Sequence, residues 1–146
     1  MNPSLDEVLN LDLPCLEAPE GGPLDADAHR EALTRSLERS KWAHVRRDGQ
    51  LVAYGYLWPL SDDVWFVGGL AIHPHYRNAS VTAELARAMS GLVRAVGAVR
   101  LESHVRRGNK ASLRLHERLG FVVTRESDRA VALRADSAAL LARLPG

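Results

Sequence analysis

The segment from Asn109 to Phe121 combines a hydrogen-bonding amide with a short amphipathic helix. Asn109 stands where the helix would begin, and Ser112, Leu115 and Leu119 follow at spacings of three and four residues. Gly120 then ends the pattern, just before a strand would begin at Phe121. A helix that faces a ligand and leads into a core strand typically has an amide side chain at its start, one small or apolar face and a glycine at its C-terminus.

These residues resemble the C-terminal signature of the GNAT superfamily of N-acetyltransferases. That signature has Asn, then Ala or Ser three residues later, then Leu followed by Tyr or His, and finally Leu-Gly-Phe. This chain has Asn109, Ser112, Leu115-His116 and Leu119-Gly120-Phe121 in that order. The amino-acid sequence of this segment is also similar to that of phosphinothricin-type acetyltransferases. The resemblance implies that acetyl-CoA is the co-substrate.

The segment from Ile72 to Thr82 resembles the phosphate loop of the same family. Pro74, Tyr76 and Arg77 match its Pro-x-Tyr-Arg start, but Ser80 and Thr82 stand where the family usually has glycines. Such a loop aims backbone N–H groups at a pyrophosphate from a helix N-terminus, and glycine permits positive φ and a close approach. Serine and threonine still cap helices and offer hydroxyls. If the Ser80 side chain strains the loop, Ser80→Gly should tighten the binding of coenzyme A.

The resemblance further implies an acetyl-CoA site built mainly from backbone. The strand that contains Leu70 would pair with the pantetheine amides, and an N–H near Leu70 would stabilise the developing oxyanion. Asn109 would reach the pantetheine arm, although an N-cap is a plainer interpretation of it. Arg77 could equally be a solvated charge. The residues that we expect to bind acetyl-CoA are Leu70, Ala71, Ile72, Arg77, Asn78, Ala79, Ser80, Val81, Thr82, Asn109 and Ser112.

Three titratable residues are candidates for proton transfer. A primary amine with a pKa near ~10.4 must lose a proton before it attacks a thioester. Glu102 and His104 lie two apart on one predicted strand, so they share a face and could act as a base or hold water. The alternative is a charged face shared with Arg100. His116 occupies the family's tyrosine position and is a candidate acid, with packing on its own helix as the alternative.

Hydrophobic periodicity predicts helices that alternate with strands. The expected strands cover residues 42–46, 51–60, 64–72, 99–105, 121–126 and 130–133, and the expected helices begin near Leu5, Asp25 or Asp27, Val81, Lys110 and Asp136. Asp48-Gly49 predicts a hairpin turn, and Gly68-Gly69 predicts a bulge or a close backbone approach. Trp58 and Trp65 flank another turn and suggest a cross-strand pair, or the wall of an acceptor pocket.

This order indicates an α/β fold in which helices flank a mixed, mostly antiparallel sheet. We expect a single GNAT-like domain over residues 1–146. It would have an N-terminal helical region (1–41), an acetyl-CoA-binding core (42–134) and a C-terminal helical tail (135–146). Residues 1–24 do not have a strand pattern, so the family's N-terminal strand is expected to be missing or remodelled.

The amino-acid composition argues against several classes of binding partner. The net charge of +1 and the scattered aromatic residues give no stacking platform for nucleic acid. No apolar run is long enough to span a membrane, and the N-terminus lacks the features of a secretory signal. Cys15 is the single cysteine, which fits a reducing cytoplasm. His73 and His75 bracket Pro74 without further ligands at metal spacing, so we expect no metal site.

Two functions remain open. The first is transfer of an acetyl group from acetyl-CoA to a primary amine of a small molecule or peptide. The second is a GNAT fold without catalysis that binds acyl-CoA or another protein. The basic residues Arg106, Arg107, Lys110, Arg114 and Arg118 could attract the phosphates of coenzyme A or simply form a solvated helix face. A homodimer is the expected assembly by base rate.

Overall fold

Six strands form one mixed sheet in a computed structural model that describes residues 3–12 and 26–143. The strands are β1 (Lys41–Arg47), β2 (Gln50–Pro59), β3 (Val64–Ile72), β4 (Arg100–Arg106), β5 (Val122–Glu126) and β6 (Ala130–Asp136). Their order is β1-β2-β3-β4-β6-β5, and every neighbouring pair is antiparallel except β3 and β4. The predicted mixed, mostly antiparallel sheet is therefore confirmed. The expectations on Cys15 and Asp25 lie outside the described residues.

Helices cover both faces of the sheet. They are α1 (Leu5–Asp12), α2 (Ala26–Arg39), α3 (Ala79–Val96), α4 (Lys110–Arg118) and α5 (Ser137–Arg143), with a short 3-10 turn at Pro74–Tyr76. No strand precedes Lys41 among the described residues, and residues 5–12 form a helix instead. None of the described helices is long and apolar enough to cross a lipid bilayer.

The first helix begins with a capping box that the sequence contains in full. The Ser4 hydroxyl accepts a hydrogen bond from the Glu7 N–H (3.2 Å), and a Glu7 carboxylate oxygen accepts one from the Ser4 N–H (3.0 Å). This reciprocal pair satisfies two N–H groups that a helix start leaves free. The Glu7 carboxylate also accepts two hydrogen bonds from the Arg46 guanidinium, one of them at 3.1 Å. Together these bonds fix α1 to β1.

Two apolar cores lie on opposite faces of the sheet. The larger one packs the buried face of α3, including Val81, Leu85 and Met89, against strand residues such as Leu101 and Leu133. The recurrence of these α3 residues every three or four positions is what predicted this helix. Gly97 ends it with φ of +70°, a conformation that glycine adopts without strain. The smaller core holds residues of α1, α2, β1 and β2. In α5, Leu140 is buried against the larger core.

A bulge in β3 makes room for aromatic rings on the α1–α2 face. Tyr56 pairs with Gly69 and Leu57 with Val67, so Gly68 has no partner in β2. A Cβ on Gly68 would lie 2.1 Å from Cζ3 of Trp58 and 2.5 Å from Cε2 of Tyr56, so these rings lie directly on the glycine backbone. The predicted bulge and the predicted close approach therefore both occur, and the approaching groups are side chains of this chain.

The predicted pairing of Trp58 with Trp65 is wrong. Trp58 stands opposite Phe66, and their ring centroids lie 5.1 Å apart. Trp65 packs against the larger core on the other face. Alternate residues of a strand point to opposite faces, so only one of Trp65 and Phe66 can meet Trp58. The register places Phe66 there.

Candidate active site

The two parallel strands in the middle of the sheet diverge halfway along their length. β3 and β4 pair from Val64 with Arg100 to Val67 with Ser103 and no further. Beyond that point β3 continues to Ile72 paired only with β2, and β4 continues to Arg106 paired only with β6. Such a gap leaves strand backbone unpaired on the facing edges, where an extended ligand can add hydrogen bonds as a strand would.

A pocket of about 210 Å³ lies between the end of β3, the start of α3 and the exposed side of α4. Its lining residues are Leu70, Ala71, Ile72, Arg77, Thr82, Asn109, Ala111, Ser112, Arg114, Leu115 and Arg118. Seven of the eleven residues predicted to bind acetyl-CoA are in this set. The other four, Asn78, Ala79, Ser80 and Val81, form the adjoining loop and the first turn of α3.

The loop before α3 is held by two side chains. The Arg77 Nε donates a hydrogen bond to the Ile72 carbonyl (3.1 Å), which fixes the loop to the end of β3. The Asn78 Oδ1 accepts one from the Val81 N–H (2.9 Å) and caps α3. The N-terminus of an 18-residue helix thus lies beside the pocket, and the positive end of the helix dipole favours an anion there.

The condition that the Ser80 side chain strains this loop is not met in the structure. Ser80 lies in the first turn of α3, and Asp48 is the one non-glycine residue with positive φ in the described parts of the chain. A helical turn needs no glycine geometry, so the absence of glycine costs no backbone strain at this position. The Ser80 hydroxyl is instead hydrogen-bonded to the Arg47 guanidinium (3.2 Å), which also pairs with Glu84.

Asn109 both caps α4 and lines the pocket. Its Oδ1 accepts a hydrogen bond from the Ser112 N–H (3.2 Å). The amide NH₂ group remains the part of this side chain that can donate to a ligand. The plainer N-cap role and the ligand-facing role are therefore compatible in one residue.

The pocket carries positive charge without a compensating acid. Arg77, Arg114 and Arg118 line it, and no aspartate or glutamate does. Arg114 and Arg118 have no carboxylate partner within the described residues, whereas Arg46, Arg47 and Arg100 each have one. The guanidinium groups of Arg114 and Arg118, which have no acid partner and face the pocket, fit a phosphorylated ligand. The spacing of four residues between Arg114 and Arg118 was the sequence signal for this shared face.

His116 lies in the core and does not line the pocket. Its side chain is 2% exposed, with Nε2 2.8 Å from the Ser103 hydroxyl and Nδ1 2.8 Å from the Ser112 carbonyl. A carbonyl only accepts, so Nδ1 carries the hydrogen of the neutral ring and Nε2 accepts from Ser103. Burial lowers the pKa of His116, and the Ser112 carbonyl offsets this only in part. At neutral pH the ring is therefore uncharged, which disfavours it as a proton donor.

Glu102 and His104 share a face of β4, as predicted, and this is the face opposite the larger core. His104 directly follows Ser103, the last β4 residue that pairs with β3, so it stands where the strands diverge. Its exposed ring meets the edge of Phe66 at 5.2 Å. Glu102 pairs with Arg100 (3.3 Å). Neither side chain lines the pocket, and their catalytic roles remain predictions.

Four pocket residues were absent from the predicted binding set: Ala111, Arg114, Leu115 and Arg118. All four belong to α4, and their spacings of three and four residues place them on one face of this helix. Arg114 and Arg118 are among the basic residues for which attraction of the coenzyme A phosphates was one of two interpretations. In the described residues, no three His, Cys, Asp or Glu side chains are grouped to hold a metal ion.

Solved structures with the same fold are numerous and distant in sequence. A GNAT-family protein from Desulfovibrio desulfuricans is 18% identical with a TM-score of 0.72, and 94% of each chain is covered. The PaiA N-acetyltransferase of Thermoplasma acidophilum, solved with coenzyme A, is 13% identical with a TM-score of 0.71, covering 90% of this chain and 92% of that one. The ribosomal-protein-S18-alanine N-acetyltransferase of Escherichia coli is 17% identical with a TM-score of 0.66, covering 92% and 90%.

No curated protein sequence matches the chain. The model of the acetyltransferase (GNAT) family matches residues 5–121, which include β3, the start of α3 and all of α4. This match spans most of the chain and agrees with the fold and with the diverging strands. The chain therefore belongs to the GNAT family of acetyltransferases, whose co-substrate is acetyl-CoA.

Proposed function

We propose that this chain transfers the acetyl group of acetyl-CoA to a primary amine of a small molecule or peptide. The observation that carries the proposal is the divergence of β3 and β4 beside a pocket lined by three arginines. Unpaired strand backbone suits the two amides of a pantetheine arm, and the arginines suit the phosphates. When bound, acetyl-CoA supplies an activated acyl group.

Each part of the site would have a separate task. The backbone of Leu70 to Ile72 would orient the pantetheine arm and place an N–H near the thioester carbonyl. The first turn of α3 would hold the pyrophosphate, and Asn109 would donate its NH₂ group to the arm. Holding donor and acceptor in this geometry contributes much of the rate, because it replaces an encounter in solution.

The proton balance needs a group outside the pocket. A carbon–nitrogen bond forms, a carbon–sulfur bond breaks, the amine loses a proton and a thiolate leaves. A thiolate with a pKa near ~8.5 needs little acid assistance, so solvent is sufficient. We assign the base to His104, acting directly or through water, because its exposed imidazole stands at the divergence. Glu102, two residues earlier on the same face of β4, would orient that water.

One observation favours the catalytically inactive alternative. The residue at the family's tyrosine position, His116, is buried and uncharged, and among the described residues the pocket is lined by no aspartate, glutamate, histidine or tyrosine. A chain of this kind could bind acyl-CoA without turning it over. Both functions require the pocket to bind acyl-CoA, but only the first requires transfer of the acyl group.

Calorimetry and a thiol-release assay together test the proposal. We expect micromolar binding of acetyl-CoA, and release of free coenzyme A that depends on an added amine. His104→Gln should lower the amine-dependent rate at least about tenfold at unchanged acetyl-CoA affinity. Binding without amine-dependent release from any primary amine would favour the inactive module. The absence of binding would contradict both functions. The homodimer remains a prediction, which sedimentation equilibrium would test.

A further inference from the structure

A row of aromatic side chains ends where β3 and β4 diverge, on the face opposite the larger core. We call Trp58, Phe66 and His104 the aromatic patch. Trp58 stacks on Phe66 at 5.1 Å, and Phe66 meets His104 edge to face at 5.2 Å. Trp58 and Phe66 are partly exposed and His104 is exposed. Fully buried rings would serve packing alone, whereas these rings leave aromatic surface in solvent.

The bulge places this patch at the end of the cleft. Gly68 directly follows Val67, the last β3 residue that pairs with β4, and the Trp58 ring lies on the Gly68 backbone. Any side chain at Gly68 would push the ring away from this point. An acceptor that reaches a thioester held between the diverging strands from this face must therefore meet the aromatic patch.

One guanidinium lies on the patch without a carboxylate partner. The Cζ atom of Arg39, at the end of α2, sits 4.2 Å from the centre of the Trp58 ring. Arg30 and Arg46, also on this side of the sheet, each pair with an acid of α1, but Arg39 pairs with none in the described residues. A guanidinium stacked on a ring keeps its N–H groups at its edge, where they can bind a carboxylate in bidentate fashion.

The charges around the patch favour an acceptor with a negative group. Arg39, Arg100 and Arg134 stand on this face, against Glu102 and Asp136. Glu102 is engaged by Arg100 and lies opposite Arg134 in the register of β4 and β6. A polyamine requires several free carboxylates, whereas Asp136 is the one acid of β4 and β6 on this face that has no cation partner in the described residues.

Accordingly we propose that the acceptor amine also carries a carboxylate and an aromatic group, the chemistry of an aromatic α-amino acid. This inference rests on the proposed function. Arg39 holds the carboxylate, Phe66 and Trp58 pack against the aromatic group, and the amine points to the divergence. Arg39 and Phe66 are then residues that determine specificity and take no part in proton transfer.

The test compares acceptors that differ by one group. Thiol release from acetyl-CoA is measured with three acceptors in turn. These are L-phenylalanine, spermidine and phenethylamine, which is phenylalanine without its carboxylate. We expect kcat/KM for phenylalanine to exceed that for phenethylamine at least about tenfold, as one charge-assisted pair would give. Arg39→Gln should reduce this ratio to within about twofold, because it removes the guanidinium and keeps most of the stem.

The control is Arg35→Gln, one turn earlier on α2 and also exposed. It should leave the ratio unchanged. Structural damage at Arg39 would lower both rates together, whereas loss of a carboxylate contact lowers only the phenylalanine rate. Equilibrium dialysis of radiolabelled phenylalanine against the protein saturated with coenzyme A provides a readout that does not need turnover. We expect saturable binding that Arg39→Gln weakens about tenfold.

Several results would overturn the inference. These are a preference for phenethylamine or spermidine, a ratio that survives Arg39→Gln, or no binding of phenylalanine at millimolar concentration. If spermidine or a peptide is acetylated while phenylalanine is not, the proposed function stands and this inference falls. If acetyl-CoA itself does not bind, the proposed function fails first.

Discussion

Gly68→Ala should destabilise the protein because the added methyl group has no room. The new Cβ would lie 2.1 Å from Cζ3 and 2.7 Å from Cε3 of Trp58, and 2.5 Å from Cε2 of Tyr56. Carbon atoms in contact lie about 3.5 Å apart, so at least one ring must move by more than about 1 Å. Overpacking of this kind costs about 1–3 kcal/mol of unfolding free energy.

Thermal unfolding followed by circular dichroism measures this cost. In a domain of this size each kcal/mol lowers the melting temperature by about 2–4 °C. The matched control is Gly91→Ala on the exposed face of α3, where nothing lies within 4 Å of the new Cβ. That change should stabilise the protein by about 0.5–1 kcal/mol, because alanine is the better helix former. A Gly68→Ala variant as stable as the wild type would refute the view that the bulge exists to seat the rings.

Four further predictions follow from the site and the ion pairs. Arg118→Gln should weaken acetyl-CoA binding about three- to tenfold in calorimetry, less so at high salt, with unfolding unchanged; equal affinity would show that this charge does not face the phosphates. Ser80→Gly should leave acetyl-CoA affinity within about twofold, since no backbone strain is relieved; tighter binding would restore the strain hypothesis. Burial lowers the pKa of His116 and of His44, so unfolding free energy should be intact above about pH 6.5 and fall as the pH drops below it. In urea titrations, His116→Gln should make the loss of unfolding free energy at low pH less steep. An unchanged pH dependence would count against a buried, neutral His116 ring. Hydrogen bonds from Arg46 lower the pKa of Glu7 from 4.5 to about 2, so Glu7→Gln should cost about 1 kcal/mol at pH 7 and progressively less as the pH falls from about 4.5 through about 2; a constant difference across that range would contradict the pairing.

Most of the secondary structure could be predicted because its signals are local. The apolar run of β3, the three-and-four spacing in α3 and the Asp48-Gly49 turn each specify their element within a few residues. The capping box at Ser4 and Glu7 was an equally local signal for the start of α1, and it was missed. The family motifs located the pocket for the same reason, because each motif is contiguous in sequence.

The features that the sequence left open or that were predicted wrongly concern partners that lie far apart in the chain. The burial of His116 depends on Ser103, which belongs to another element and becomes its neighbour only through the sheet. The Trp58 pairing depends on the register between β2 and β3, which the unpaired Gly68 shifts by one residue. Ser80 seemed strained only because a glycine loop was assumed, whereas α3 begins earlier.

The central claim is that the unpaired backbone where β3 and β4 diverge binds the pantetheine arm of acetyl-CoA. A crystal structure with coenzyme A bound tests it most directly. We predict hydrogen bonds between the pantetheine amides and the backbone of residues 70–72, with the pyrophosphate at the first turn of α3 and Arg118 near a phosphate. Coenzyme A bound elsewhere, or a cleft filled by the polypeptide itself, would contradict the claim.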